Sequence, residues 1–385
     1  MPWTEASVLE QRMRFIAAAL APDANRRAVC RAFGISPKTG YKWLSRFASG
    51  GAADGLREVS RRPQRSPRQS TPAVEQAVLE LRQEFGWAGR KLRPLLAARG
   101  HVVAPATIDR IIRRHGLTDL DERHRPAPQR FTAPHPNALW QMDFKGQYPV
   151  REGWTFPFSV LDDHSRFAVG LAALSGTAGA PVLRVLQACF EQYGVPDAIL
   201  CDHGVPWWHA VAGHGLTRVG VFLLEQDIRV IHSGVAHPQT QGKVERFHRT
   251  LARRLRQWGV PSSHADFPET LVRFRTEYNE IRPHAALAER PPATCYRPSL
   301  RAFQRDPTPW SYPADQFELR VNANGEIHYD HRRFFVSDAL ATKTVGCHQM
   351  GSRVLVRFRN HYVREIDLPT GRTRSLISQP VSPMS

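Results

Sequence analysis

Residues 237 to 251 read "HPQTQGKVERFHRTL", a polar, turn-forming run that passes without a break into a basic helical pattern. From there apolar residues recur at spacings of three and four, which predicts one buried stripe along a helix. The stripe consists of Val244, Phe247, Leu251, Leu255 and Trp258. Glu245 stands beside the stripe, on a face that we predict to be exposed together with His248 and Arg249. By spacing alone, Glu245 is either the surface partner of Arg249 or a functional carboxylate, and both interpretations stay open.

Two further acids occupy positions where strands place side chains in a cleft. Asp143 is central in a predicted strand, in "QMDFKG", and Asp202 follows the apolar strand "AIL", in "ILCDHG". In open α/β sheets, ligand-binding and catalytic residues lie at such strand ends. A carboxylate among apolar neighbours costs free energy unless its charge is compensated. Two aspartates and a glutamate are hard oxygen ligands that suit Mg²⁺ or Mn²⁺. Because two such ions promote displacement at a phosphodiester, we take Asp143, Asp202 and Glu245 as candidate catalytic and metal-binding residues.

The segment from 137 to 290 has the element order of an α/β domain. Three strand patterns come first, and then helices and strands alternate along the chain. This order predicts three antiparallel strands and one central sheet. Asp162 and Asp163 stand at the turn between the second and third strands, so we interpret them as turn formers rather than ligands.

The amino-terminal segment, residues 1 to 59, contains the stop and start signals of a helix-turn-helix in "NRRAVCRAFGISPKTGYKWLSRF". Gly34 is suited to end one helix, and Ser36 with Pro37 to begin the next. If the second helix enters a major groove, its first turns present Lys38, Thr39 and Lys42 to base edges. An ordinary helical hairpin is the alternative.

A basic, proline-containing linker follows from 60 to 72, and a second helix-turn-helix pattern from 73 to 120. The linker is expected to be extended, either along DNA or as a solvated tether. The second pattern has a candidate recognition helix from Thr107 to Arg114. The DNA contacts predicted for these two segments are Arg61, Arg62, Arg65, Arg110, Arg113 and Arg114.

Proline-rich linkers are predicted from 121 to 136 and from 291 to 315. Between 316 and 370 apolar and polar residues alternate, which predicts a small all-β domain with a hairpin turn at Asn324-Gly325. Residues 371 to 385 are expected to form a tail.

The bulk composition points to a polyanionic partner. The chain has 385 residues, a formal charge of +18 and a sequence pI near 10.5, which favours nucleic acid. No run of 18 apolar residues and no signal-peptide order occurs, so we expect a cytoplasmic protein with no membrane association. The five cysteines are scattered without any CxxC pair, which indicates neither a disulfide framework nor a thiolate zinc site.

Five motifs together resemble the catalytic core of a known family: "WQMDFKG", "VLDDHSRF", "LCDHG", "HPQTQGKVERFHRTL" and "YNEIRPHAAL". They are similar to the retroviral-integrase-like core of bacterial insertion-sequence DDE transposases, and the similarity extends to the helix-turn-helix region and the β tail. It implies a multidomain protein with N-terminal all-α helix-turn-helix units, a central α/β RNase H-like integrase core and a C-terminal small all-β domain. The family's three acids match Asp143, Asp202 and Glu245.

The resemblance further implies two divalent ions, Mg²⁺ or Mn²⁺, and double-stranded DNA, both element ends and target, as partner. Pairing two ends implies a homo-oligomer, at least a dimer. His203 departs from the family's Asn after the second acid. We predict that DNA contacts near the core come from His203, Gln241, Lys243 and Arg249.

Three functions stay open on the sequence. The first is a transposase that cuts at its element's terminal inverted repeats and joins the 3′-hydroxyl to target DNA. The second is a helix-turn-helix repressor with an inactive core, and the third is a nuclease that only hydrolyses. The intact acids speak against the repressor, and two sequence-reading segments speak against the nuclease.

Overall fold

A computed structural model describes residues 7–50, 54–58, 70–118, 132–202, 204–207, 215–232 and 242–377. The chain forms two compact units, Met1–Thr71 and Pro72–Ser385. In the described part of the chain, no helix is long and apolar enough to cross a membrane.

The first unit is a small helical domain. Its elements are α1 (Val8–Ala19), α2 (Arg26–Ala32), α3 (Pro37–Gly50) and a 3₁₀ turn (Asp54–Leu56). Gly34 follows α2 with φ +65°. The Ser36 hydroxyl accepts a hydrogen bond from the Thr39 amide at 3.2 Å. The predicted end of the first helix and the predicted start of the second are therefore confirmed. A Cβ at Gly40 would lie 2.4 Å from Cys30 Sγ, and glycine therefore permits the close approach of α3 to α2.

The second unit begins with three more helices, which pack around a core of their own. They are α4 (Pro72–Phe85), α5 (Gly89–Ala98) and α6 (Pro105–Arg114). Leu81, Leu92 and Ile108 are fully or almost fully buried there. The amide of Gly89, at the start of α5, donates to the Asp109 carboxylate at 2.7 Å, and this bond ties α5 to α6.

A six-stranded mixed sheet forms the centre of the second unit. Its strands are β1 (Trp140–Phe144), β2 (Tyr148–Val150), β3 (Gly153–Asp162), β4 (Ala168–Leu174), β5 (Ala198–Cys201) and β6 (Arg229–His232). The order is β2-β3-β1-β5-β6, and β4 pairs with β3. Strands β1, β3 and β4 pair antiparallel, whereas β1, β5 and β6 pair parallel. The predicted α/β order with one central sheet is confirmed.

Helices cover both faces of this sheet. They are α7 (Gly179–Tyr193), α8 (Arg218–Glu225), α9 (Gly242–Trp258) and α10 (Phe267–Thr276), followed by a π-helical turn (Glu277–Ile281). Val160 packs in one cluster with α7 and α8, and its neighbour Leu161 packs in another with α9 and α10. Successive strand residues point to opposite faces, so two cores form. Phe247, Leu251 and Leu255 of the predicted apolar stripe lie in the second core, and Trp258 packs against it.

The carboxyl-terminal strands form an antiparallel five-stranded sheet and a separate hairpin. The strands are β7 (Phe317–Arg320), β8 (Glu326–Tyr329), β9 (Arg332–Phe335), β10 (Thr344–Met350), β11 (Arg353–Phe358), β12 (His361–Asp367) and β13 (Thr373–Ser375). The sheet order is β13-β12-β11-β10-β7, and the hairpin is β8-β9.

The expected hairpin at Asn324-Gly325 is wrong. A turn is present, because the Gly325 amide donates to the Asn322 carbonyl at 3.1 Å, but β7 pairs with β10 instead of β8. The Gly325 carbonyl accepts bonds from Val336 and Ser337 at the end of β9. The paired hairpin turns at Asp330-His331, where both φ angles are positive, as such two-residue turns require.

Candidate active site

The three acids arise from three elements that meet at one end of the central sheet. Asp143 is the fourth residue of β1, Asp202 directly follows β5, and Glu245 lies in the first turn of α9. Strands β1 and β5 are parallel neighbours, with Gln141 opposite Leu200. This register, continued along the strands, brings Asp143 level with Asp202.

The charges of the other two acids act on Asp143. Its side chain is 21% exposed, and burial raises its pKa from 3.8 to about 7, with further upward contributions from the charges of Asp202 and Glu245. The Phe144 amide, which donates to the Asp143 carboxylate at 2.8 Å, and the charge of Lys145 lower the pKa. The effects that raise the pKa outweigh those that lower it, so the surroundings of Asp143 favour its protonated, neutral form.

The donor set of this cluster suits a hard divalent cation. Carboxylate oxygens are the ligands that Mg²⁺ and Mn²⁺ prefer, and a cation would relieve the repulsion that raises the pKa of Asp143. Among the described residues, no group of three or more His, Cys, Asp or Glu side chains is arranged to hold a metal ion. The structure thus shows a coupled negative cluster rather than a closed coordination sphere.

Asp202 is fixed by its immediate neighbours. Its Oδ1 accepts hydrogen bonds from the Gly204 amide at 2.9 Å and from the Trp207 indole at 2.5 Å. Trp207 is buried and stacks on Phe144 at a centroid distance of 5.5 Å. Trp207 was not among the predicted site residues. The available signal was an aromatic pair, "PWW", in a polar segment just after the second acid.

His248 braces α9 against the strands that carry the site. It is only 6% exposed, so its predicted place on an exposed face is wrong. Its Nε2 lies 2.7 Å from the Ser159 hydroxyl, and its Nδ1 lies 3.7 Å from the Asp143 carboxylate. Burial lowers the pKa of His248 to about 3, which makes the ring neutral at pH 7. Ser159 was also missed, and a single hydroxyl within the apolar run "FPFSVL" was its signal.

Glu245 and Arg249 are both exposed on α9. Within the described residues, no ion pair shorter than 4.0 Å joins them, although pairs with the same spacing occur elsewhere, as between Glu10 and Arg14. The structure therefore gives no support to the interpretation of Glu245 as the surface partner of Arg249.

Lys243 is turned towards Asp163. Its Nζ lies 2.5 Å from the Asp163 carboxylate, and the lysine side chain is only 18% exposed. Burial lowers the pKa of Lys243 to about 8. Asp163 is fully buried and also accepts bonds from the Ala133 amide and the Gln141 side chain, both at 2.7 Å. A residue that we expected at the DNA is thus engaged in an internal ion pair.

The two aspartates at the β3–β4 turn have structural partners. Asp162 accepts bonds from the Ser165 amide and from the Asn137 amide, both at 2.7 Å. Because Asp162 and Asp163 are both fully buried and bonded to the main chain, they organise the turn and the approach to β1, as the sequence indicated.

The candidate DNA contacts of the first unit lie at the start of α3. Lys38 and Lys42 are exposed, and the Lys42 ammonium lies 5.0 Å from the Trp43 ring centroid. Thr39 is half-buried, and its hydroxyl is 2.9 Å from that of Ser36. The two lysines are therefore presented to solvent, while Thr39 takes part in the helix cap.

In α6, Arg110, Arg113 and Arg114 are exposed. Arg114 forms an ion pair with Glu75 at 2.6 Å, so Arg110 and Arg113 remain the better candidates for contacts outside the domain. The other predicted contacts lie outside the described residues: Arg61, Arg62, Arg65, His203 and Gln241.

Family models match both the helical and the central segments. Residues 133–238 and 226–292 match models described as integrase core domain. The central domain is an integrase core. Residues 11–64 match a helix-turn-helix domain, and residues 39–112 match a homeodomain-like domain. The chain thus combines helix-turn-helix domains with an integrase core, as the motifs predicted.

Curated relatives include proteins of bacterial insertion elements. The chain is 27% identical over 292 residues to the uncharacterized 39.2 kDa protein of insertion element IS476 from Xanthomonas euvesicatoria, covering 71% of this chain and 77% of the relative. It is 26% identical over 213 residues to the uncharacterized 31.7 kDa protein of IS407 from Burkholderia multivorans, covering 54% and 73%. These matches confirm the resemblance to bacterial insertion-sequence proteins with an integrase-like core.

One solved structure to which the chain is similar is the HTLV-2 integrase catalytic core domain in complex with magnesium (trimeric form). It has a TM-score of 0.34 and 15% identity, and the match covers 43% of this chain and 99% of that chain.

Proposed function

We propose that this integrase-core protein is a DNA transposase that acts on the terminal inverted repeats of a mobile element. The observation that carries the proposal is the position of Asp143 level with Asp202 on the parallel neighbours β1 and β5, where the charges of Asp202 and Glu245 contribute to raising the pKa of Asp143 to about 7. Three acids on three separate elements, coupled in this way, form a negative cluster at one end of the sheet. Perturbed acids grouped in this way are typical of functional sites.

The cluster is suited to phosphodiester hydrolysis and strand transfer. Asp143, Asp202 and Glu245 would hold two Mg²⁺ or Mn²⁺ ions, which when bound activate the attacking oxygen and stabilise charge on the leaving oxygen. The protein's own side chains set the geometry around the acids. Gly204 and Trp207 orient Asp202, and His248 keeps α9 in position against β3.

The helical domains supply the recognition of DNA. Lys38 and Lys42 lie on an exposed helix of a helix-turn-helix domain, and such helices enter the major groove. Arg110 and Arg113 are placed similarly on α6. A transposase has to pair two element ends, so we propose that the protein acts as a homo-oligomer, at least a dimer.

The test is cleavage and joining of a labelled duplex that carries the sequence found at the border of the mobile element. Wild-type protein with Mg²⁺ should cut at the border and transfer the freed 3′ end to a second duplex, whereas Asp202→Asn should do neither. Asp197→Asn, just before β5 and paired with Arg301 at the surface, is the control and should cut normally.

Specific binding to the border by wild-type protein, without any cleavage in Mg²⁺ or Mn²⁺, would instead establish the alternative function of a repressor with an inactive core. Cleavage without transfer of the 3′ end would show that the protein is a nuclease and not a transposase.

A further inference from the structure

The motif "YNEIRPHAAL" contributes to a concentration of positive charge next to the catalytic helix. Arg282 Nη1 lies 2.7 Å from His284 Nε2. Burial, and then the charges of Arg282, Lys91, Arg166 and Arg246, lower the pKa of His284 to about 2. The cations come from α5, the β3–β4 turn, α9 and the segment after α10, so the fold gathers them from distant parts of the sequence.

We name as the basic cluster Lys91, Arg166, Arg246 and Arg282. Arginine only donates hydrogen bonds, so His284 Nε2 accepts the bond from Arg282 and the neutral ring has its proton on Nδ1. His284 therefore adds no charge that would offset the cluster.

Arg282 has an unused donor inside the protein. The residue is 8% exposed, and its Nε has no hydrogen-bond partner among the described residues. The guanidinium lies 5.3 Å from the centroid of the Tyr278 ring. A buried arginine normally has its donors satisfied, because an unpaired buried polar group is costly.

Two carboxylates near Arg282 and His284 are engaged with other cations, while the buried Asp162 and Asp163 act on Arg166. The Glu277 carboxylate accepts a bond from Arg254 Nε at 2.9 Å. The Glu289 carboxylate lies 3.9 Å from the exposed Arg90. Neither acid forms an ion pair with Arg282 in the described part of the chain.

We propose that the basic cluster binds a backbone phosphate of the DNA strand that runs from the second helical domain to the catalytic acids. This inference rests on the proposed function. Lys91 belongs to α5 of the second helical domain, and Arg246 directly follows Glu245 on α9. A DNA strand that runs from the second helical domain to the catalytic acids would therefore pass the basic cluster.

A phosphate is the ligand that this chemistry favours. Guanidinium groups bind phosphate oxygens through paired hydrogen bonds, and a polyanion relieves the repulsion among clustered cations. Arginine can also donate to guanine O6 and N7, but a base edge carries no negative charge to offset the clustered cations. The contact should therefore position DNA without reading its sequence.

The salt dependence of binding tests the proposal. A fluorescent duplex with the border sequence is titrated with wild-type protein, Arg246→Gln, Arg282→Gln and the control Arg305→Gln, which removes a surface arginine paired with Glu191. Arg246 is exposed, so its variant should fold normally even if the buried Arg282→Gln variant does not. Each cluster variant should lower the slope of log affinity against log salt by about 1, as expected for one lost phosphate contact. The control should keep the wild-type slope.

Neutral methylphosphonates, placed one at a time along the duplex, locate the contact. Wild-type protein should lose affinity at one strand position near the cleavage site, and Arg246→Gln should be insensitive there while responding normally elsewhere. Cluster variants that keep the wild-type salt slope, or that respond to every neutral linkage as wild-type protein does, would overturn the inference. Wild-type protein that neither prefers nor cleaves the border would instead refute the proposed function, so the two failures are distinguishable.

Discussion

His248 Nε2 lies 2.7 Å from the hydroxyl oxygen of Ser159, and this hydroxyl donates to the main-chain carbonyl of Asp143 at 3.1 Å. A buried chain of hydrogen bonds thus runs from α9 across β3 to β1. The Ser159 hydroxyl has one proton, which it gives to the Asp143 carbonyl. His248 Nδ1 in turn lies 3.7 Å from the Asp143 carboxylate, so the ring stands between Ser159 and the side chain of Asp143.

We accordingly expect His248 to act as a positioning residue. His248→Ala should leave border binding unchanged and slow cleavage by about 100-fold, because small displacements of catalytic groups have effects of that size. His248→Gln offers an amide donor to Ser159 and should restore part of the rate. Single-turnover cleavage and gel-shift binding measure the two effects, and a folded His248→Ala protein with the full cleavage rate would contradict this role.

The repulsion around Asp143 predicts a dependence of stability on pH. The pKa of Asp143 in the folded protein, about 7, lies above the ordinary aspartate value of 3.8. The folded state therefore binds the proton more tightly, and this stabilisation is complete below about pH 4 and lost as the pH rises through about 7.

In metal-free buffer, Asp143→Asn should become more stable relative to wild-type protein over that pH range, by on the order of 2–4 kcal/mol in the free energy of unfolding. Urea denaturation in EDTA at several pH values measures the difference. A difference between the two proteins that does not change with pH would show that Asp143 is not destabilised by its neighbours.

The ion pair between Lys243 and Asp163 should be important for stability. Asp163→Asn leaves a mostly buried ammonium without its charged partner, and breaking such a pair costs about 3–5 kcal/mol. Glu191→Gln, which breaks the exposed pair with Arg305, should cost less than about 1 kcal/mol. The free energies of unfolding of both variants test this contrast, and equal costs would show that burial of the pair has no energetic effect.

Lys42 on α3 provides a test of DNA reading by the first helical unit. Lys42→Ala should lower affinity for the border duplex and reduce its preference over random DNA by about 1–3 kcal/mol if the side chain contacts a base edge. Lys343→Ala, whose ammonium is paired with Glu225 at 2.6 Å, is the matched control. Unchanged affinity of Lys42→Ala for both duplexes would exclude Lys42 from the interface.

Short sequence patterns, together with the resemblance to insertion-sequence transposases, predicted helix boundaries, the central sheet and the candidate acids. Gly34 and Ser36 act on neighbouring residues only, so the helix boundaries around them were readable in the sequence. The order of strands and helices predicted the central sheet, because parallel neighbours such as β5 and β6 are joined by a helical crossover, here α8. We predicted the candidate acids from their positions in that order of elements and from the family motifs.

Contacts between distant segments were not readable in the same way. Lys243 meets Asp163 across 80 residues of sequence, and His248 meets Ser159 across 89. Neither distance leaves a periodic pattern. The turn at Asn324-Gly325 was recognised, but the pairing of β7 with β10 depends on the packing of the whole terminal sheet.

The central claim is that Glu245 belongs to the catalytic cluster and is not an ordinary residue of an exposed helix face. The most direct measurement is the rate of strand cleavage on labelled border DNA as Mg²⁺ is titrated, for wild-type protein, Glu245→Gln and Glu269→Gln. Glu269 is the matched control, since it is an exposed glutamate in the first turn of α10. We predict that Glu245→Gln binds the border normally but cleaves orders of magnitude more slowly, and that Glu269→Gln matches wild-type protein, whose activity EDTA abolishes. Full activity of Glu245→Gln, or wild-type cleavage that persists in EDTA, would contradict the account.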